Sequence, residues 1–175
     1  MADPQSVETR RFRSTVPYYA RYRLNYPEGL FDRIVSILGL APGDRVLDLG
    51  TGPGLIAIPF AERGMRVTAV DPEPDMLAAA REAAMAAGVR IDLREGSSFS
   101  LPSLAEPFKL VTIGRAFHWM DRAATLRTLD SMIVPEGAVA LFGENHPDTV
   151  ENAWQGILDD IGERFGVKES PSQRK

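Results

Sequence analysis

Arg45-Val46-Leu47-Asp48-Leu49-Gly50-Thr51-Gly52-Pro53-Gly54 decides how the rest of the chain is read. An apolar run ends at Leu49, three glycines follow within five residues, and a helical pattern begins near Leu55. Glycine is required where φ turns positive or where a ligand must meet bare backbone. A glycine-rich turn between a strand and a helix also presents N–H groups that have no partner inside the helix. Such a turn suits a polar or charged part of a nucleotide-like molecule. No Gly-Lys-Ser/Thr accompanies it, which excludes a nucleoside-triphosphate loop.

Two acids narrow the ligand. Asp48 lies two residues before Gly50, giving Asp-x-Gly-x-Gly-x-Gly. A carboxylate there opposes a pyrophosphate and suits an ammonium or sulfonium. Val67-Thr68-Ala69-Val70-Asp71 reads as a second strand ending in an acid, 21 residues after Gly50. At that offset a carboxylate accepts hydrogen bonds from both ribose hydroxyls. A ribose beside a positively charged amino-acid moiety describes S-adenosylmethionine better than NAD.

Outward from this turn the chain alternates helix and strand. Residues 27–38 read as a helix with Pro27 at its start, Gly39 as its stop, and Leu30, Ile34, Ile37 and Leu38 on one face. Strands are expected at 45–49, 66–70, 90–94, 109–113 and 138–142. Between them lie helices at 55–62, where Pro59 demands a late start or a bend, at 75–87, and at 121–133 with Leu126, Leu129 and Ile133 inward. Pro135-Glu136-Gly137 reads as a turn into the fifth strand. A last helix, 150–165, carries Trp154, Ile157, Leu158, Ile161 and Phe165 on one stripe. The fold class is therefore α/β: a doubly wound, Rossmann-like, mostly parallel sheet of about five strands with helices on both faces. Residues 1–26 are expected to be a basic tail and lid, 27–166 the ligand-binding domain, and 167–175 a polar tail.

Composition sets outer limits. The chain has 175 residues, 44% hydrophobic and 25% charged, as expected of one globular domain. A net charge of −4 argues against nucleic acid as a partner. There is no cysteine, and the two histidines lack metal-ligand spacing, so no metal site is expected. The first residues lack the apolar core of a signal peptide, and no apolar run is long enough to span a bilayer. A cytoplasmic protein acting on a small molecule, away from membranes, is the expectation.

Four segments resemble class I S-adenosylmethionine-dependent methyltransferases, in the order that family has them. Residues 46–54 resemble its first motif. Val70-Asp71-Pro72-Glu73-Pro74-Asp75-Met76-Leu77 is similar to its ribose and adenine segment. Gly114-Arg115-Ala116-Phe117-His118-Trp119-Met120-Asp121 is similar to the segment after strand four in a small-molecule branch, and Tyr19-Ala20-Arg21-Tyr22-Arg23-Leu24-Asn25-Tyr26-Pro27 resembles that branch's lid.

The resemblance implies methyl transfer from S-adenosyl-L-methionine to a small acceptor, with S-adenosyl-L-homocysteine as product. It implies cofactor contacts from Tyr19, Arg23, Asp48, Gly50, Thr51, Gly52, Asp71, Pro72, Met76, Ser97, Ser98, Phe99 and Arg115, with Arg23 on the methionine carboxylate and Met76 against adenine. The family often has Gly-Asp-Ala where Gly96-Ser97-Ser98 stands, so a serine hydroxyl would replace a carboxylate as acceptor from adenine. It often has Gln where Arg115 stands, and Arg115 could pair with the cofactor carboxylate or with an anionic acceptor.

His118 is the candidate catalytic residue, since imidazole titrates near neutrality and a general base is needed when the acceptor carries a proton. Shaping the pocket is its alternative role, and Trp119 reads as an apolar wall. The alternatives to methyl transfer are a non-catalytic cofactor-binding or scaffolding domain and, disfavoured by Asp48, an NAD-dependent oxidoreductase. Family members usually carry two more strands after the fifth, and no strand signal follows 142 here. The apolar, uncharged edge of strand five would then invite pairing, with a homo-oligomer as one outcome.

Overall fold

Val46, Leu47 and Leu49 have almost no exposed surface, and neither have Leu110, Val111 and Ile113. Strands buried on both faces belong at the centre of a parallel sheet, and these two runs are neighbours there. The computed structural model describes residues 25–101, 104, 107–143, 157, 160 and 164. The elements are α1 (Glu28–Leu38), β1 (Arg45–Leu49), α2 (Ala57–Glu62), β2 (Arg66–Asp71), α3 (Pro74–Ala86), β3 (Asp92–Glu95) and β4 (Phe108–Gly114). A single 3-10 turn, Phe117–Trp119, then leads to α4 (Arg122–Asp130) and β5 (Ile133–Phe142). The sheet is parallel throughout, in the order β3-β2-β1-β4-β5. That is the doubly wound α/β fold expected.

Alternate residues of β1 and β4 enter different cores. Val46 and Leu110 join Phe31, Ile56, Phe60 and Phe142 under α1 and α2. Leu47, Leu49, Val111 and Ile113 join Val70, Phe108 and Leu129 under α4. Asp48 and Thr112 are directly opposed in register and alternate with the residues of the second core.

The inward face of α1 is only partly the one expected: Ile34 and Leu38 turn inward, and Leu30 and Ile37 do not. Phe31 is fully buried, with Ile34, Val35 and Leu38 packed beside it, whereas Leu30 and Ile37 are exposed. Both sets have helical spacing, and the larger ring decides between them. Phe31 lies edge-on to Phe60 at 5.3 Å and to Tyr26 at 6.5 Å. Pro59 is the third residue of α2, where its missing N–H has no helical partner in any case. The helix therefore starts late, as its proline requires.

Three further boundaries differ. α4 ends at Asp130, with Leu129 buried and Leu126 exposed, and Ile133 pairs with Phe108 as the first residue of β5. Pro135-Glu136-Gly137 is not a turn but a bulge inside β5. Phe108 faces Ile133 while Leu110 faces Ala138, so the extra residues buckle outward. Proline is tolerated there because a bulge at a sheet edge needs no donor. Gly137 is required, since a Cβ would come within 2.8 Å of the Lys109 carbonyl. β3 begins at Asp92, two residues later than expected.

The chain divides into two units, Met1–Phe142 and Gly143–Lys175. In the second, Ile157, Asp160 and Arg164 are helical, inside the span expected to form the last helix. Trp154, Leu158, Ile161 and Phe165 lie outside the described residues.

Candidate cofactor site

β1 delivers Asp48 to the carboxyl end of the sheet, and the chain reverses at once through Gly50, Gly52 and Gly54, at φ 74°, 53° and 88°. Each of these angles is strained for a residue with a side chain. Gly50 and Gly52 need glycine for different reasons. A Cβ at Gly50 would approach the Ala116 Cβ to 2.7 Å, because the segment after β4 packs directly on the turn. Among the described residues, a Cβ at Gly52 would meet nothing within 4 Å. The first glycine admits protein, and the second faces space that no described residue fills. Bare backbone facing open space is where a ligand can lie against the chain, so the turn fits the nucleoside cofactor its motif implies.

Three strands hold the turn. From β2, the Val70 carbonyl accepts from the Gly50 N–H at 2.8 Å and the Thr51 N–H at 3.1 Å. Asp71, also on β2, accepts from the Gly52 N–H on Oδ2 at 2.8 Å and from the Glu73 N–H on Oδ1 at 2.9 Å. From β1, Asp48 Oδ2 accepts from Thr51 Oγ1 at 2.6 Å. From β4, Thr112 Oγ1 donates to Asp48 Oδ1 at 2.7 Å. Burial pushes the Asp48 carboxyl up to about 6, against the two threonine hydroxyls that stabilise its charge, with Asp71 adding repulsion. Burial also raises Asp71, offset in part by the Glu73 and Gly52 N–H groups.

A cavity of about 30 Å³ opens beside the turn, lined by Tyr26, Gly50 to Pro53, Leu55, Ile56, Gly114 and Arg115. Arg115 has a positive φ of 53°, unusual for a residue with a side chain, and its guanidinium lies 4.8 Å over the Tyr26 ring. Tyr26 in turn packs on Phe142 at 5.2 Å. Beyond Arg115 the chain makes one 3-10 turn, in which the exposed rings of His118 and Trp119 lie 4.7 Å apart. On the other side of Asp71, the Gly96 N–H donates to the Asp71 carbonyl at 3.1 Å and ties the post-β3 loop to β2.

Residues 46–137 match the family model of a methyltransferase domain. The chain belongs to the class I S-adenosylmethionine-dependent methyltransferases. An uncharacterized methyltransferase of Mycobacterium tuberculosis is 31% identical over 160 residues, which cover 91% of this chain and 60% of that protein. An uncharacterized methyltransferase-like protein of Schizosaccharomyces pombe is 27% identical over 169 residues, covering 96% of this chain and 63% of the relative. The methyltransferase chain described here thus spans about three fifths of the length of these relatives. A methyltransferase from Geobacter sulfurreducens, solved with S-adenosyl-L-homocysteine, shares the fold with a TM-score of 0.60 at 24% identity, over 85% of this chain and 67% of that one.

Within this methyltransferase domain, Asp48, Gly50, Thr51, Gly52 and Asp71 converge on one turn as expected, and Gly114 and Arg115 border it. Asp48 does so differently from its expected role. Its carboxylate is sealed, with both oxygens accepting from threonines, so it holds the turn rather than facing a ligand's positive charge. Met76 is buried on the first turn of α3, close in sequence to the half-buried Pro72 and the buried Glu73. Ser97 spends its hydroxyl locally, 3.2 Å from Ser100 Oγ and accepting from the Phe99 N–H, and Ser98 beside it is half-buried. Phe99 is exposed. Tyr19 and Arg23 lie outside the described residues. Sequence reasoning missed Thr112 and gave Tyr26 only to the lid. Thr112 is the one hydroxyl in the apolar run 110–113, and that mismatch was its signal. Among the described residues there is no group of potential metal ligands and no helix long and apolar enough to cross a membrane.

Proposed function

We propose that this domain binds S-adenosylmethionine across the carboxyl ends of β1, β2 and β4 and transfers its methyl group to a small-molecule acceptor. The observation that carries the binding half is Gly52: positive φ, open space above it, and an N–H clamped by the ribose-position acid Asp71. Each Asp71 oxygen accepts one backbone N–H and keeps acceptor capacity for a ribose hydroxyl. In this reading the Ser97 to Phe99 loop borders adenine, supported by its tie to β2 through the Gly96 N–H. The small cavity between Gly50, Gly114 and Arg115 has room for a few ligand atoms and suits the methionine end. Arg115 then supplies positive charge there, and Arg23 does so by family resemblance.

Bound in this way, S-adenosylmethionine supplies a methyl group on a sulfonium, open to in-line attack. The chain's contribution is alignment and exclusion of water. Trp119 provides an apolar wall. His118 shapes the mouth of the pocket, or takes a proton where the acceptor has one. A ubiquinone biosynthesis O-methyltransferase of Azorhizobium caulinodans is 36% identical over 96 residues, covering 54% of this chain and 38% of that enzyme. It favours a small organic acceptor.

The test is transfer of labelled methyl from S-adenosylmethionine to a panel of phenols, amines and carboxylic acids. Labelled product from any one class supports the proposal. Tight S-adenosylhomocysteine binding with no transfer to any class would overturn the catalytic half and leave a cofactor-binding domain.

A further inference from the structure

Thr112 is fully buried in a strand that is otherwise apolar at its centre. A buried hydroxyl costs free energy unless it is bonded, and valine would fill the same space without that cost. The strand pairing is made by backbone groups, so the register does not need this hydroxyl. What it does is donate to Asp48 Oδ1 at 2.7 Å, across the β1–β4 pair where the two residues are directly opposed, with the Leu47 carbonyl at 3.3 Å as a lesser acceptor. The other Asp48 oxygen accepts from Thr51, which stands between Gly50 and Gly52. One carboxylate therefore joins the middle of the sheet to the turn.

We propose that Thr112 is a positioning residue for cofactor binding: by holding Asp48 on Thr51 it fixes the Gly50–Gly52 backbone on which the cofactor lies. The inference rests on the cofactor reading above. Its consequence is a pH dependence. The ionised carboxylate accepts from both threonines, and a proton on either oxygen makes that oxygen a donor, so the threonine it faces must turn its hydroxyl to accept and the charge-assisted bond is lost. Burial already brings Asp48 to about 6, and the Thr112 bond acts to lower it, so losing that donor moves protonation to higher pH. Among the described residues, the charged group facing Asp48 is Asp71 on β2, whose carboxyl burial also raises. Asp71 bonds Gly52 and Glu73 rather than Thr112, so a shift caused by substitution at 112 reports on Asp48.

The experiment measures S-adenosylhomocysteine dissociation constants of the full chain from about pH 5.5 to about pH 8.5, with thermal melts of the ligand-free proteins. Thr112→Val should weaken binding about tenfold near neutral pH, as expected for a hydrogen bond to a charged group, and should move the acid-side fall in affinity to higher pH. Thr112→Ser should stay within about twofold of wild type, with the wild-type profile, because it restores the donor. Thr112→Val that binds like wild type, or more weakly by one factor at every pH, overturns the proposal. If Thr112→Val does not fold, Thr51→Val removes the other hydroxyl from outside the core and must shift the profile the same way; an unshifted profile overturns it equally. Wild-type protein that binds no S-adenosylhomocysteine at any pH overturns the cofactor reading, and this inference with it.

Discussion

The turn after β1 and the segment after β4 lie side by side at the carboxyl end of the sheet, and they are built on opposite terms. In the turn, β1, β2 and β4 each supply a hydrogen bond, and the two carboxylates are buried and bonded twice. The segment after β4 holds a strained Arg115 stacked on Tyr26, then exposed His118 and Trp119 on a single 3-10 turn. They meet where Ala116 packs on Gly50. The contrast separates two tasks. On the proposed reading, the cofactor is met by fixed backbone with Arg115 at its edge, and the acceptor by the side chains of His118 and Trp119 on a short exposed segment. Damage to the first region should abolish binding, and damage to the second should change rate or selectivity.

The largest effect should come from Gly52→Val. A β-branched residue disfavours a φ of 53° and fills the space the ligand needs. S-adenosylhomocysteine affinity should fall by more than about 100-fold, or about 3 kcal/mol, with the circular dichroism spectrum unchanged. A folded variant that still binds would show that the turn is not the site. Asp71→Ala comes next. It removes ribose acceptors and also frees the Gly52 N–H, so about 2–3 kcal/mol of binding should be lost. Calorimetry showing near wild-type affinity would remove the ribose role.

Asp48→Asn sharpens the comparison by setting stability against binding. Asp48 is raised from 3.8 to about 6, so its contribution to stability is fully present below about pH 4 and is lost as pH rises through about 6. Above that pH the buried charge costs about 3 kcal/mol at most. Asparagine keeps an acceptor for Thr112 and carries no charge. The ligand-free variant should therefore melt higher than wild type near pH 7.5, and the fall in wild-type stability between about pH 4 and about pH 6 should be smaller in the variant. It should nonetheless bind cofactor more weakly, since an amide NH2 replaces the oxygen that accepted from Thr51. A variant that is less stable at every pH would contradict the buried-charge account. The smallest effect should be in the second region: His118→Ala should leave S-adenosylhomocysteine affinity unchanged and lower turnover by less than about tenfold. A loss of about 100-fold or more would make His118 the general base.

Much of the first region was legible because its constraints are local. A glycine must stand where φ is positive, and an apolar run buried on both faces reads as a central strand. Asp48 was visible for the same reason, but its role was not. Its partner Thr112 is 64 residues away, and only the register of β1 on β4 brings them together. The second region and β5 were harder to read because their constraints are tertiary. Pro135-Glu136-Gly137 has turn composition, and it becomes a bulge because Ile133 pairs with Phe108 before the chain buckles. Ile133 fits the helical spacing of Leu126 and Leu129 equally well, and pairing overrides it. On α1, Ile34 and Leu38 were placed inward by spacing alone, but Phe31 in place of Leu30 and Ile37 was set by aromatic packing.

On the proposed reading, the turn at Gly50–Gly52 takes S-adenosylmethionine rather than a dinucleotide. Calorimetric titration of the wild-type chain with S-adenosylhomocysteine, and separately with NAD, tests it most directly. Saturable binding of S-adenosylhomocysteine, abolished by Gly52→Val, with no heat from NAD, is the predicted result. Binding of NAD, or S-adenosylhomocysteine binding that survives Gly52→Val, would contradict it.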